Sequence, residues 1–368
     1  MDNWFEITNP EEVLSPALLF YPERIQRNIS QMIEVAGSPS RLRPHVKTYK
    51  CHEIVDMQLE AGINKFKCST LMEAEMLAKT GVKDILVAYP LVGPAQSRYL
   101  ELVRKYPESQ FSVLVDHERQ VSGWKEVFNH DSDADTNPDQ VKVNIFIDLD
   151  AGMHRTGVDP EKAPNLLSQL DESFTLRGFH VYDGHIRERD FFNRDAAVKK
   201  AFDQIVILWD SYDNQDLELI CGSSITFPVH AKYPERTLSP GTTLLWDRGY
   251  GSQFPDLKFE VAAILLTRVV SIPGDNLLCL DLGYKAVASE MKVPPVYFPQ
   301  IPEMEITNHS EEHLVIKVAD SSAWIIGDVL YGIPWHICTT VALFESAGIV
   351  KNHKMCEYWT IEARKRLF

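Results

Sequence analysis

The sequence has no CxxC pair. Its six cysteines, Cys51, Cys68, Cys221, Cys279, Cys338 and Cys356, stand far apart, which fits reduced thiols in a large chain better than a disulfide scaffold. It also lacks a Lys/Arg cluster. The 37 basic residues are outnumbered by 52 acidic ones, for a formal net charge of −15, so neither a phosphate backbone nor an anionic membrane is an expected partner. No apolar run approaches the roughly 18 residues that a membrane span needs. The acidic start "MDNWFEITNPEEV" has no basic region followed by an apolar stretch, as a secretory leader would. Repeats and low-complexity tracts are missing too. These absences lead us to expect a soluble, cytoplasmic protein with no nucleic-acid or membrane partner.

What is present is 368 residues with 45% hydrophobic content, enough to bury a sizeable core in two domains without disulfides. From about residue 40 to 245, short β-branched runs alternate with helical periodicity. The runs are "LRPHVK", "KFKCST", "DILVAY", "FSVLVDH", "VNIFIDLDAG", "LRGFHVYDGH", "LELICGSS" and "RTLSPGT". Eight such units predict a (β/α)8 barrel, an α/β fold. The polar stretch at 129–140 predicts a solvated loop. Beyond residue 245 the runs "FEVAAILLTRVVSI", "NLLCLDLG", "HLVIKVAD", "WIIGDVLYGI" and "ICTTVALFES" follow one another without long helices, which predicts an antiparallel β domain. The expected division is a barrel over 20–245 and a β domain over 246–368, with residues 1–19 pairing with the latter.

Barrels of this kind draw their reactive groups from the C-terminal ends of the strands, and there the unusual residues gather. Lys47 ends the first run, Arg155 follows the fifth, Tyr182 and His185 lie at the sixth, and "CGSS" ends the seventh. A single lysine is ordinarily a solvated one; coincidence across strand ends is what singles Lys47 out. "CGSSITF" and "SPGTT" each expose backbone N–H groups and hydroxyls, and at adjacent strand ends the two would enclose a phosphate. An amine beside a phosphate cradle points to pyridoxal phosphate, which needs both. In "PWHICTT", an extended chain would turn His336 and Cys338 to the same side. A thiolate with an imidazole favours zinc, with positions left open for water and substrate.

These stretches resemble the metal-activated pyridoxal enzymes that include D-threonine aldolase and the eukaryotic-type D-serine dehydratase, with the alanine-racemase-type fold. "RPHVKTYK" is similar to the family's lysine motif, "DAGMHRTGV" to its arginine segment, "YDGHI" to the sixth-strand segment, "PGT" to the phosphate loop and "PWHIC" to the metal motif. The resemblance implies that Lys47 binds the cofactor covalently, Arg155 lies near its phenolic oxygen, and Tyr182 faces its ring. Ser223, Ser224, Gly241 and Thr242 would hold the phosphate, and His336 and Cys338 a divalent ion, zinc ahead of manganese. The family is typically homodimeric. Two positions depart from parts of it: Ser239 stands where racemases carry an arginine facing the pyridine nitrogen, and Cys338 where some aldolases use a carboxylate.

The expected activity is cleavage of a 3-hydroxy-D-amino acid to glycine and an aldehyde, with Lys47 and His185 as bases. The alternative is dehydration of D-serine or 3-hydroxyaspartate to a 2-oxo acid and ammonia. A noncatalytic pyridoxal-phosphate-binding protein and a metal-free racemase with Tyr284 as base are the remaining readings.

Overall fold

The computed structural model describes residues 3–130, 142–212 and 216–365. The predicted loop at 129–140 falls, from residue 131 on, outside them. No helix among the described residues is long and apolar enough to cross a membrane. Two compact units interleave along the sequence: Met32–Lys47 with Val55–Gly241 makes up most of one, and Met1–Gln31, Thr48–Ile54 and Thr242–Arg364 make up the other. The first strand, β1 (Ala17–Phe20), belongs to the latter.

The larger unit is a curled parallel sheet. Its strands are β2 (Lys65–Cys68), β3 (Asp84–Pro90), β4 (Gln110–Val115), β5 (Val143–Leu149), β6 (Phe174–Val181), β7 (Glu218–Cys221) and β8 (Arg236–Leu238), paired in that order. Helices such as Leu71–Lys79 and Phe191–Asp210 connect them. The first of these starts where Thr70 accepts from the Glu73 N–H, while Glu73 reaches back to the Ser69 N–H at 2.6 Å, so each side chain satisfies a donor that the helix itself cannot.

Seven regular strands stand where eight were expected, because "LRPHVK" forms only two isolated bridges, Leu42 with Leu238 and His45 with Lys67. Pro44 has no N–H to give to a ladder. Around it, Arg43 and His45 donate to the carbonyls of Leu238 and Pro240, each at 2.8 Å, and the Pro44 carbonyl accepts from Lys67 at 2.9 Å. The segment therefore spans from β8 to β2 and closes the ring as an irregular eighth stave.

Alternation along the strands sorts the interior into layers. At the strands' N-terminal ends, the guanidinium of Arg43 bonds Asp84 and Glu218, both at 2.8 Å. Above it Leu86, Leu114, Phe146 and Ile220 pack as an apolar layer. Two positions beyond Leu86, Leu114 and Phe146 come Ala88, Asp116 and Asp148; Asp148 pairs in register with His180, and Lys67 with Leu86. Gly178 lets β6 follow this register: its φ is +143°, and a Cβ there would lie 1.9 Å from the Glu218 carbonyl oxygen. The pairing of β5 with β6 shifts at this point, as a bulge does.

The second unit is built on β1 and the strands β9 (Ala263–Gly274), β10 (Leu277–Leu280), β11 (Val296–Tyr297), β12 (Glu305–His309), β13 (Leu314–Lys317), β14 (Val329–Pro334), β15 (Ser346–Lys351) and β16 (Lys354–Thr360). The order is β12-β13-β10-β9-β1-β15-β16, with β14 also on β9 and β11 on β14. All pairs are antiparallel except β1 with β15, so the sheet is mixed rather than purely antiparallel. Phe5, Leu19, Ile264, Leu266 and Tyr331 centre its core. "ICTTVALFES", expected as a strand, begins instead as the short helix Ile337–Val341. The Asp247 carboxylate accepts from the Ile337 N–H at 3.1 Å, and the Thr340 hydroxyl bonds back to the His336 carbonyl at 2.8 Å. These bonds give the β-branched run a helical start that its propensity opposes.

Candidate active site

A cavity of about 620 Å3 opens at the C-terminal ends of the barrel strands, lined by Lys47, Lys67, Asp116, Arg155, His180 and Tyr182 among others. Lys47 sits in the single turn Val46–Thr48, whose N–H groups include one given to His45 Nδ1 at 3.2 Å. Three cations surround the Tyr182 ring. The Arg155 guanidinium lies 4.8 Å from its centroid, the Lys47 amine 5.7 Å and the Lys67 amine 5.9 Å.

The loop after β5 delivers Arg155. Asp150 accepts from the N–H groups of Gly152 and His154 at 2.9 and 3.1 Å, Asp116 accepts from the Gly157 N–H at 2.8 Å, and Val158 bridges back to Leu149. His185 lies outside this lining. It is exposed, with its Nε2 about 3.5 Å from where a Gly152 Cβ would be.

The "CGSS" loop is anchored from behind. Thr226 bonds both the N–H and the hydroxyl of Ser223, at 2.9 and 3.0 Å, and donates to Asp183 at 2.6 Å. Asp183 also bonds His230 at 2.8 Å. Gly222 turns the strand end at φ +93°, where a Cβ would meet His230 at 2.9 Å. The Ser224 hydroxyl accepts from the Gly241 N–H at 3.0 Å, joining the two loops. Ser239 lies apart from the cavity lining and gives its hydroxyl to the Arg43 carbonyl at 2.9 Å. The donor set suits a phosphate and the amine suits a carbonyl carbon, so these residues fit pyridoxal phosphate.

In the sequence, Lys67 shows only as part of the strand run "KFKCST". It is buried, and its amine lies 3.2 Å from His180 Nε2, while His180 Nδ1 lies 2.7 Å from Asp148. Burial, followed by the charge of Lys47, lowers the Lys67 pKa to about 7. Burial and then the Lys67 charge lower that of His180, outweighing Asp148. The signal that would have found Lys67 is its parity: it stands two positions before Ser69 and two after Lys65 on a strand whose inward side faces the barrel.

In the second unit, His336 precedes the helix Ile337–Val341 and Cys338 lies in its first turn, so the two are not neighbours on one strand face. The side chains meet all the same. Their hydrogen bond, set against burial, raises the His336 pKa to about 9. Burial works to raise the Cys338 thiol, but His336 and the hydroxyls of Thr242 and Thr48 outweigh it and lower its pKa. Those hydroxyls lie 3.4 and 3.2 Å from the sulfur. His336 Nδ1 bonds Glu290, the kind of outer contact that orients a ligating imidazole. Among the described residues no group of three or more His, Cys, Asp and Glu converges on one point. A soft thiolate beside an oriented imidazole fits a divalent ion held at two protein positions. Tyr284 is largely exposed and packs its ring against His309.

The comparisons with known proteins agree with this architecture. The sequence profile of the alanine racemase, N-terminal domain matches residues 22–245, and that of a putative serine dehydratase domain matches residues 262–350. The chain is 26% identical to the D-threonine aldolase of Arthrobacter sp over 340 residues, covering 88% of this chain and 85% of that one. It is 24% identical to the D-serine dehydratase of Dictyostelium discoideum, covering 92% and 93%. The crystal structure of D-threonine aldolase from Filomicrobium marinum superposes with a TM-score of 0.85 at 24% identity, over 99% of both chains. By these matches the chain belongs to the family of the alanine racemase N-terminal domain, extended by the serine-dehydratase-type domain.

Proposed function

We propose that the protein is a pyridoxal-phosphate-dependent lyase of 3-hydroxy-D-amino acids, cleaving D-threonine-like substrates to glycine and an aldehyde. The observation that carries this is the Lys47 amine, set in a 620 Å3 cavity with the Arg155 guanidinium 4.8 Å from the Tyr182 ring centroid. The names of the relatives supply the substrate class. Bound pyridoxal phosphate supplies a sink for the electron pair released at Cα, and a divalent ion supplies Lewis acidity at the substrate hydroxyl.

The chain's own residues do the rest. Lys47 would hold the cofactor at its carbonyl carbon, and its amine is a base whenever it is not so engaged. Arg155 offers its guanidinium to a phenolate oxygen and Tyr182 its face to a ring. Ser223, Ser224, Gly241 and Thr242 receive the phosphate. His336 and Cys338 hold the ion, zinc ahead of manganese, through the thiolate that their mutual hydrogen bond favours. The same thiolate supports a second reading, dehydration of D-serine or 3-hydroxyaspartate, in which hydroxide leaves after loss of the Cα proton. A homodimer is part of the proposal, checked by sedimentation.

Product analysis of the metal-loaded holoenzyme with D-threonine and D-serine decides between the readings. Glycine with acetaldehyde is expected; a 2-oxo acid with ammonia and no glycine would establish the dehydratase, and no product from either substrate would leave a binding protein. Changing Cys338 to Ala should keep the cofactor's visible absorption and lower turnover by about 100-fold or more. An equally active, metal-free variant would remove the ion from the mechanism.

A further inference from the structure

The cavity holds a second amine that the reading above leaves without a task. Lys67 projects from β2 into the barrel, and the partner its amine reaches is an imidazole: among the described residues no carboxylate lies within ion-pairing distance of it. The hydrogen bonds fix their own direction. His180 Nδ1 lies 2.7 Å from Asp148 Oδ1, an acceptor, so Nδ1 carries the ring proton and donates it. His180 Nε2 is then bare, and at 3.2 Å it accepts from the Lys67 amine. Asp148 is held in turn by the Thr156 hydroxyl at 2.9 Å. An amine with an oriented imidazole behind it and a carboxylate behind that has the layout of an activated base or nucleophile.

The surroundings act on its charge from every side. Lys47 and Arg43 repel a proton on Lys67, Asp148 and Asp183 attract one, and burial outweighs the attraction. Tyr182 presents its ring at 5.9 Å, and Arg155 adds positive charge near His180. A lysine kept for charge alone would be paired with a carboxylate, as Arg43 is. This one is kept near the point where it gains and loses its proton, inside the chamber where Lys47 stands.

We propose that Lys67 is the proton-exchanging base of this cavity, taking the proton of the substrate's β-hydroxyl and returning it to Cα, with His180 and Asp148 positioning the amine. This rests on the lyase reading. The O–H bond breaks as an N–H bond forms on Lys67; the oxygen's electron pair becomes the second bond of the aldehyde C=O; the Cα–Cβ pair passes to Cα. The ammonium then gives its proton to Cα, the new C–H bond completes glycine, and the amine is neutral again. No co-reactant is consumed. His185, exposed and outside the cavity lining, is relieved of the role.

Two measurements test it. In the first, the full-length chain without cofactor is labelled with acetic anhydride at pH 6 to 11 and the peptide carrying Lys67 is quantified by mass spectrometry. Half-labelling near pH 7 is expected, moving when His180 is changed to Phe; the profile of an ordinary exposed lysine would overturn the proposal. In the second, holoenzyme variants are assayed for glycine release from D-threonine. Lys67→Arg keeps a cation but cannot give up its proton, and should lower kcat by about 100- to 10,000-fold with KM within about threefold, abolishing the rise of kcat through pH 7. Lys67→Ala should regain at least about tenfold on addition of methylamine, which a structural role would not allow. Full activity of Lys67→Arg with the pH limb intact overturns the proposal. Failure of the unmodified holoenzyme to release glycine would instead overturn the aldolase reading, and the labelling profile still reports on Lys67 by itself.

Discussion

Arg43 and Lys67 are two buried cations of one barrel, separated by an apolar layer, and their surroundings treat them oppositely. Burial works against the charge of both. For Arg43 the carboxylates of Glu218 and Asp84 more than offset it and raise the pKa. For Lys67 the nearest partner is a neutral imidazole, and the pKa falls to about 7. The end of the barrel carrying the strands' N-termini is thus closed by a neutralised ion cluster, while the other end keeps the Lys67 amine, whose charge is poised. Stability should follow the first and reactivity the second.

The largest expected effect comes from the second class. Lys47→Ala should cost activity on the order of 10,000-fold and remove borohydride-stable attachment of the cofactor, with a nearly unchanged urea midpoint; attachment at Lys50 instead would move the assignment. Next, Arg43→Met removes the fully buried guanidinium that joins the half-buried Asp84 and Glu218, leaving them only the longer ion pairs to Arg177 at 3.7 Å and Lys65 at 3.4 Å. It should destabilise the fold by about 1–3 kcal/mol, read from equilibrium urea unfolding, and a neutral result would break the contrast between the two cations.

A smaller effect sharpens the comparison through pH. The pKa of Lys67 in the folded protein, about 7, lies below the value of about 10.4 for an unfolded lysine. Between the two the unfolded chain binds more protons, so this site's contribution to stability rises with pH across that window. Below about pH 7 the amine is charged in both states and the penalty for burying it is fully present. Lys67→Met should therefore gain most over the parent at pH 6 and lose the advantage towards pH 10, as followed by urea midpoints. The smallest effect belongs to His185→Ala: its side chain is exposed, so kcat/KM should stay within about threefold, and a loss of 100-fold would return it to the mechanism.

The alternation of β-branched runs with helical periodicity made the barrel legible, and strand ends marked Lys47, Arg155 and Tyr182 because period and position are local properties. Three features resisted reading, the first because one residue overrides the composition around it and the other two because they depend on distant partners. "LRPHVK" has the composition of a strand, yet Pro44 reduces it to two bridges. "ICTTV" has strand propensity, yet Asp247, 90 positions earlier, gives it a helical start. "KFKCST" shows an ordinary lysine, and only the fold sets His180, 113 positions away, against it.

The position of β1 in its sheet has a consequence for how the chain is made. Its four residues, Ala-Leu-Leu-Phe, are all buried, and both flanking partners, β9 and β15, are encoded roughly 240 and 325 residues later. At about 5–20 residues per second, the ribosome releases this apolar segment on the order of 10 to 50 seconds before β9 follows, and longer before β15. During synthesis the nascent chain thus carries an unsatisfied strand edge, open to pairing with another copy, and a transcript broken off before residue 346 would leave one side of it exposed for the lifetime of the product.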